Sequence, residues 1–444
     1  MTKSKIALLA TAPALLIGAL VSLTACSTKY DLVIYNWEDY IYEGTDDDGN
    51  FVEDGTIAAF EKYYQEKTGK KIKVGYECFS TNEEMYQQLS LGSISPDLIC
   101  PSDYMIQKMA NEGMLEEFSY TAETDTYGES LKNWDEFGSP FIRNRFANET
   151  LANGQSFLSY AVPYFWGTMG FTYDPAYLDG NFSNQVKSWE CLWSSDSNLR
   201  KQFSLKDSMR DTYVAAIFHV YKDEIAALDE TAADYNAQLS EIFNRCDDTT
   251  IAKVETALKE AKAKTVYGFE VDEGKDDIVK GVYHANLAWS GDSVYSMDSA
   301  EESGKILNYS LPEEGSNVWF DGWCMPKGAN KELAEEFLNF ICLPEQAQKC
   351  MEAVGYTSPI VGDEIWEYVN ETYAAEETET DTYEVDLSFY FGGEAKINIP
   401  TSQKGRQFDA QYPTEEALKK CCLMKDFGDQ TTKVEAMWNR VKVA

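Results

Sequence analysis

Between residues 32 and 113 the chain alternates short apolar runs with amphipathic stretches, and no other feature limits its fold as much. Leu32-Val33-Ile34 reads as a buried strand. From Thr56, the residues Ile57, Phe60, Tyr63 and Tyr64 fall at helical spacing until Gly69 stops the run. Residues 71–76 alternate as a strand. A second helix, Asn82 through Met85 to Leu89, leads to the apolar run Leu98-Ile99-Cys100, and a third, from Tyr104 to about Asn111, closes at Gly113. Strand, helix, strand, helix predicts an α/β fold with a parallel sheet covered on both faces. A chain of 444 residues exceeds one ordinary core, so two lobes are expected.

In open α/β sheets ligands bind beyond the carboxyl ends of the strands. Here the first strand runs into Tyr35-Asn36-Trp37-Glu38-Asp39-Tyr40, three rings and two carboxylates within six residues. Such a mixture suits a protonated amine, because ring faces attract a cation and carboxylates pair with it. The same mixture recurs. Pro101-Ser102-Asp103-Tyr104 follows the next strand, Asp207-Ser208-Met209-Arg210-Asp211 opens a helix, and Ala288-Trp289-Ser290-Gly291-Asp292 ends a further strand. Trp319-Phe320-Asp321-Gly322-Trp323 and Gly355-Tyr356-Thr357 complete the series. Singly, each has an ordinary reading, since rings fill cores and aspartates cap helices. Together they place rings beside carboxylates at the sheet ends of two lobes.

Catalytic and metal motifs fail. Of the two histidines, His219 and His284, neither follows Gly291-Asp292-Ser293-Val294, so that block lacks the downstream base of a serine esterase. The acidic run 46–50 has Phe51 where a calcium loop starting at Asp46 needs glycine, and reads as a solvated turn. There is no phosphate-binding glycine loop, and no cofactor or metal is expected. With 75 acidic against 38 basic residues the formal charge is −37, which excludes a nucleic-acid surface and draws cations inward.

Lys3 and Lys5 precede an apolar run from Ile6 to Leu20, as in a secretory signal. Its end, Leu23-Thr24-Ala25-Cys26, is similar to a bacterial lipobox, in which Cys26 becomes the lipidated first residue. Removing residues 1–25 takes away two lysines and no acids, moving the formal charge from −37 to −39. Acyl chains on Cys26 would anchor the protein to the membrane. The other nine cysteines are odd in number and contain no CxxC pair, so they read as buried thiols of a low-oxygen habitat. The Glu/Thr-rich stretch 374–386 reads as an exposed loop or insertion.

Taken in order, YNWEDY (35–40), PSDYM (101–105) with KMANEGML (108–115), PYFWGTMGFTYD (163–174), SLKDSMRDTY (204–213), WSGDSVY (289–295), WFDGWCMP (319–326) and VGYTSP (354–359) closely resemble the extracytoplasmic polyamine-binding proteins of ABC importers, the spermidine/putrescine (PotD-type) group. The resemblance runs from about Asp31 to Lys442. It implies a two-lobe periplasmic-binding-protein-like fold with crossover hinge strands and a central ligand cleft. The expected division is 1–25 signal peptide, 26–155 with 319–360 as one lobe, and 156–318 with 361–444 as the other. It further implies ring contacts from Trp37, Tyr40 and Tyr104, stacking walls from Trp289 and Trp319, and polar contacts from Ser102 and Tyr356. Ammonium partners would come from Glu38 or Asp39, Asp103, Asp207 or Asp211, and Asp321. Met424 stands where some members carry a glutamine. Arg210 is expected to face away or brace a carboxylate. The implied partners are a polyamine, the permease subunits and the membrane, with the protein a monomer and no enzyme. The alternatives are a binder of sugars, peptides or anions, or a carboxylate-pair glycoside hydrolase using Asp211 and Asp321.

Overall fold

The computed structural model describes residues 29–45, 50–147, 149 and 151–444. The expected leader and Cys26 lie outside them, as do residues 46–49 of the acidic turn. Strands β1 (Leu32–Trp37), β2 (Val74–Phe79) and β3 (Leu98–Ile99) form a parallel sheet in the order β2-β1-β3. Leu32, Ile34, Leu98 and Ile99 are fully buried in it. The helix Thr56–Thr68 joins β1 to β2 and stops where Gly69 adopts a left-handed φ of 72°. The helix Asn82–Ser90 begins where the Thr81 hydroxyl accepts the Glu84 N–H, which satisfies one of the orphan donors of its first turn.

The longest strand, β4 (Val162–Tyr173), is buried along its whole length. It is followed by β5 (Phe203–Lys206), β6 (Val266–Glu270), β7 (Ala285–Trp289), β8 (Asn308–Ser310) and β9 (Ser316–Trp323). The hairpin β10 (Thr382–Asp386) with β11 (Lys396–Pro400), and the short β12 (Cys421–Cys422), close the series. The second sheet runs β12-β9-β4-β7-β5-β6, with β8 also on β4. β4 passes through both halves of the molecule: Val162, Phe165 and Trp166 lie in the first core, and Met169, Phe171 and Tyr173 in the second. Its antiparallel partner β9 sends Val318, Phe320 and Trp323 into the first core. A third passage falls between Cys421, in the first core, and Cys422, in the second. These three strands are the crossovers of a two-lobe α/β fold.

Two expectations need correction. Residues 157–166 and most of 361–420 belong with the first lobe, because Phe157, Leu158, Trp166, Ile365, Val369, Tyr390, Ile399 and Phe408 all bury into its core. Only the segment from Cys422 through the helix Thr431–Lys442 joins the second. The Glu/Thr-rich stretch is likewise no open loop at its end: residues 382–386 are β10, paired in register with β11. The nine described cysteines are all free thiols, seven of them buried. No described helix is long and apolar enough to cross a membrane.

Candidate functional site

The strand ends that carry rings and acids converge where the lobes meet. Asp321, in β9, bridges to Ser102, the residue that opens the helix Asp103–Asn111. Its Oδ2 accepts the Tyr40 hydroxyl at 2.7 Å. Tyr40 reaches inward because Asp39 before it takes a left-handed φ of 51°, and Asn36 Nδ2 donates to the Tyr40 carbonyl at 3.1 Å to pin the turn. That turn sends Glu38 and Asp39 outward, and both are exposed. Trp37 lies half-buried on Phe79, with ring centroids 4.6 Å apart. Asn82 donates to Ser102 Oγ at 3.1 Å and to the Tyr104 hydroxyl oxygen at 3.0 Å, and that hydroxyl donates to Glu83 at 3.1 Å.

From the second lobe comes Asp211, in the first turn of the helix Met209–Val220. Its N–H is capped by Ser208 Oγ, and its Oδ1 accepts the Trp289 indole N–H at 3.3 Å. Trp289 ends β7, and Trp319 stands in β9 on the other side of β4. Gly167 of β4 makes room for Trp319: a Cβ there would lie 2.8 Å from Trp319 Cζ2 and 2.4 Å from Ser290 Oγ. Tyr356 packs against both Trp319, at 5.2 Å between centroids, and Tyr40, at 5.8 Å, and donates to Asp292 Oδ1 at 2.8 Å.

Asp211 and Asp321 are each 7% exposed, and burial raises both carboxyls. Asp321 is pushed up to about 6, with hydrogen bonds from the Tyr40 and Ser102 side chains pulling it back and the charge of Asp211 adding to the rise. Opposite lobes thus bring two carboxylates within electrostatic reach. Neither forms an ion pair with a lysine or arginine among the described residues. Asp103, 2% exposed, is raised well above the carboxylate range by burial, while its Oδ1 accepts the Tyr104 N–H at 2.6 Å.

Asp207 does not join this cluster. It accepts from Trp438 Nε1 at 3.2 Å and Lys442 Nζ at 3.0 Å, on the C-terminal helix. Successive side chains at a strand end point to opposite faces, so it is Lys206, the preceding residue, that turns toward Trp289. Lys206 and Asn82 are residues to which the sequence reading gave no role in the site, and Asp292, quoted there only within its strand end, accepts from both Lys206 and Tyr356. Arg210 bridges the lobes: its guanidinium carbon lies 3.9 Å from the Tyr104 ring centroid and 4.3 Å from that of Phe427, and Nη1 donates to the Lys425 carbonyl at 2.8 Å. Met424, at the position where the resemblance puts a glutamine in some members, is buried, and its carbonyl accepts Gln107 Nε2 at 2.9 Å from the first lobe. The histidines stand apart, His219 stacked on Trp193 at 3.9 Å and His284 on Tyr177 at 3.7 Å.

The chain is 25% identical to the spermidine/putrescine-binding periplasmic protein of Salmonella typhimurium over 343 residues, covering 76% of this chain and 80% of that one. It is 25% identical to the putrescine-binding periplasmic protein PotF of Escherichia coli over 373 residues, covering 80% and 86%. Its fold matches the spermidine/putrescine ABC transporter substrate-binding protein PotD of Streptococcus pneumoniae with a TM-score of 0.59 at 24% identity, covering 93% and 98% of the two chains. Residues 56–362, which include most of the converging strand ends, match the bacterial extracellular solute-binding proteins, and the chain belongs to that family.

Proposed function

We propose that this solute-binding protein is the polyamine receptor of an ABC importer, anchored outside the cell membrane through lipid on Cys26. It captures spermidine or putrescine between its lobes and presents the closed complex to the permease. The observation that carries this reading is the meeting of Asp211 and Asp321 from opposite lobes, both buried, neither in a direct ion pair among the described residues although Lys206 and Arg210 lie within electrostatic reach of Asp211, and walled by Trp289, Trp319 and Tyr356. A buried carboxylate without a counter-ion is costly, and a ligand ammonium removes that cost. Methylenes between the ammonium groups gain about 0.8 kcal/mol each when covered by rings. Trp37, Tyr40, Ser102 and Tyr104 would complete the first-lobe wall, while exposed Glu38 and Asp39 would act at the rim as an attractive field. Names of the relatives support the same ligand class. An anion binder would need free arginines or helix N-termini, and here acids fill those places.

The test is calorimetric titration of the purified protein with putrescine, spermidine, sugars, peptides and phosphate, beside an assay for glycoside turnover. Micromolar or tighter binding of an amine, with the other ligands inert and no turnover, is the expected result. Heat from a sugar or an anion alone, or release of sugar from a glycoside, would end the proposal.

A further inference from the structure

Lys206 puts a cation of the protein's own into the cleft wall. It is the last residue of β5 and only 2% exposed. Its Nζ stands 3.7 Å from the ring centroid of Trp289, donates to Asp292 Oδ2 at 2.8 Å and reaches the Val271 carbonyl at 3.1 Å. The other oxygen of Asp292 is engaged by the Tyr356 hydroxyl. A lysine side chain is four methylenes ending in an ammonium, the same chemistry as one end of a polyamine. A ring face, a carboxylate and a carbonyl that would suit a ligand ammonium are therefore already in use. Asp211 and Asp321 stay outside any direct ion pair among the described residues, and Lys206 already lies within electrostatic reach of Asp211. Asp103 beside them spends its Oδ1 on the Tyr104 N–H in the first turn of its helix, burial raises its carboxyl, and its Oδ2 has no hydrogen-bond partner among the described residues.

We infer that Lys206 sets the ligand's charge, holding the Trp289–Asp292 position as a built-in ammonium and so limiting the cleft to a diamine. The inference rests on the polyamine reading above. A triamine would bring its third ammonium beside Lys206, where the carboxylate is already paired, and a buried ammonium with no counter-ion is strongly disfavoured. Were Lys206 only a brace, its loss would lower the melting temperature without changing which amine is preferred.

Calorimetry on the full protein and on Lys206→Ala, each titrated with 1,4-diaminobutane and with spermidine, separates these outcomes. The wild-type protein should bind the diamine at least tenfold more tightly than spermidine. In Lys206→Ala the ratio should move at least tenfold toward spermidine, whose third ammonium then takes the vacated place against Asp292. Equal affinities in the wild type, or a folded Lys206→Ala protein with an unchanged ratio, would overturn the inference while leaving a polyamine receptor. Should the variant fail to fold, the wild-type ratio alone decides. If neither amine binds the wild type, the polyamine reading itself fails and takes this inference with it.

Discussion

Burial raises the Asp321 carboxyl from an ordinary 3.8 to about 6, against the pull of its two hydroxyl donors. Each pKa unit is worth about 1.4 kcal/mol, so keeping it ionised in an empty closed cleft costs about 3 kcal/mol at neutral pH. The sign follows from the raised value. The contribution of Asp321 to the ligand-free closed form is whole below the ordinary value near 4 and is lost as pH rises through about 6. A bound ammonium reverses this, because it stabilises the charged carboxylate. Protons and amines then compete for one site. Diamine affinity should fall as pH drops below about 6, roughly tenfold per pH unit for a single linked group, and more steeply if Asp211 joins. Titrations between pH 5 and 8 in two buffers of different ionisation enthalpy should show a proton released on binding near pH 6. Asp321→Asn should weaken binding at least tenfold and abolish that release, whereas an unchanged dissociation constant would remove Asp321 from the site.

At the scale of strands and helices, what was legible in the sequence is the alternation that builds the sheets and the identity of the strand ends. Leu32-Val33-Ile34, Leu98-Ile99 and the apolar runs around Gly167 and Trp319 each declare a strand by composition, and each delivers its ring or acid to the seam. What could not be read is direction within an end. Tyr40 points inward and Glu38 and Asp39 outward because of one left-handed residue. At β5 the register shifts between Phe203 and Ser204, so counting along the apolar run does not tell whether Lys206 or Asp207 faces Trp289. The placement of most of residues 361–420 on the first lobe rests on contacts such as Trp166 Nε1 to the Tyr390 hydroxyl oxygen, 224 residues apart, which no local pattern records. The helix Ser290–Glu302 offers a test at this scale. A Cβ on Gly291 would lie 2.5 Å from Tyr356 Cγ and 2.6 Å from both neighbouring ring carbons. The ring cannot fold aside, and it packs on Tyr40 and Trp319. Gly291→Ala should therefore weaken amine binding about tenfold and also lower the melting temperature, since Tyr356 packs against the first-lobe core. A large loss of melting temperature with unchanged affinity would contradict this account.

The lobes meet across a seam of direct contacts, which would favour a closed state over an open one. Gln107 of the first lobe donates to the Met424 carbonyl of the second, and Arg210 of the second lies on the Tyr104 ring of the first. Arg210 is 5% exposed, so its attraction to the ring acts away from water, where a cation–ring contact reaches about 2 kcal/mol. On its own lobe Arg210 donates from Nη1 to the Lys425 carbonyl at 2.8 Å and from Nη2 to Asp426 at 3.4 Å, while its buried Nε has no hydrogen-bond partner among the described residues, so two anchors would hold the arginine if the Tyr104 contact were lost. Ligand binding and lobe closure draw on one equilibrium, and a change in the closed population changes apparent affinity by the same factor. Arg210→Ala should lower amine affinity about 5- to 30-fold, a range set by 1–2 kcal/mol of lost closure. Because the contact forms after the ligand has entered, the loss should fall mainly on the dissociation rate. Stopped-flow release rates would rise, and small-angle scattering at half-saturating ligand would show a larger mean radius than the wild type. If release rates stay as they are in a folded Arg210→Ala protein, the Tyr104 contact is equally available in the open form and does not select the closed one.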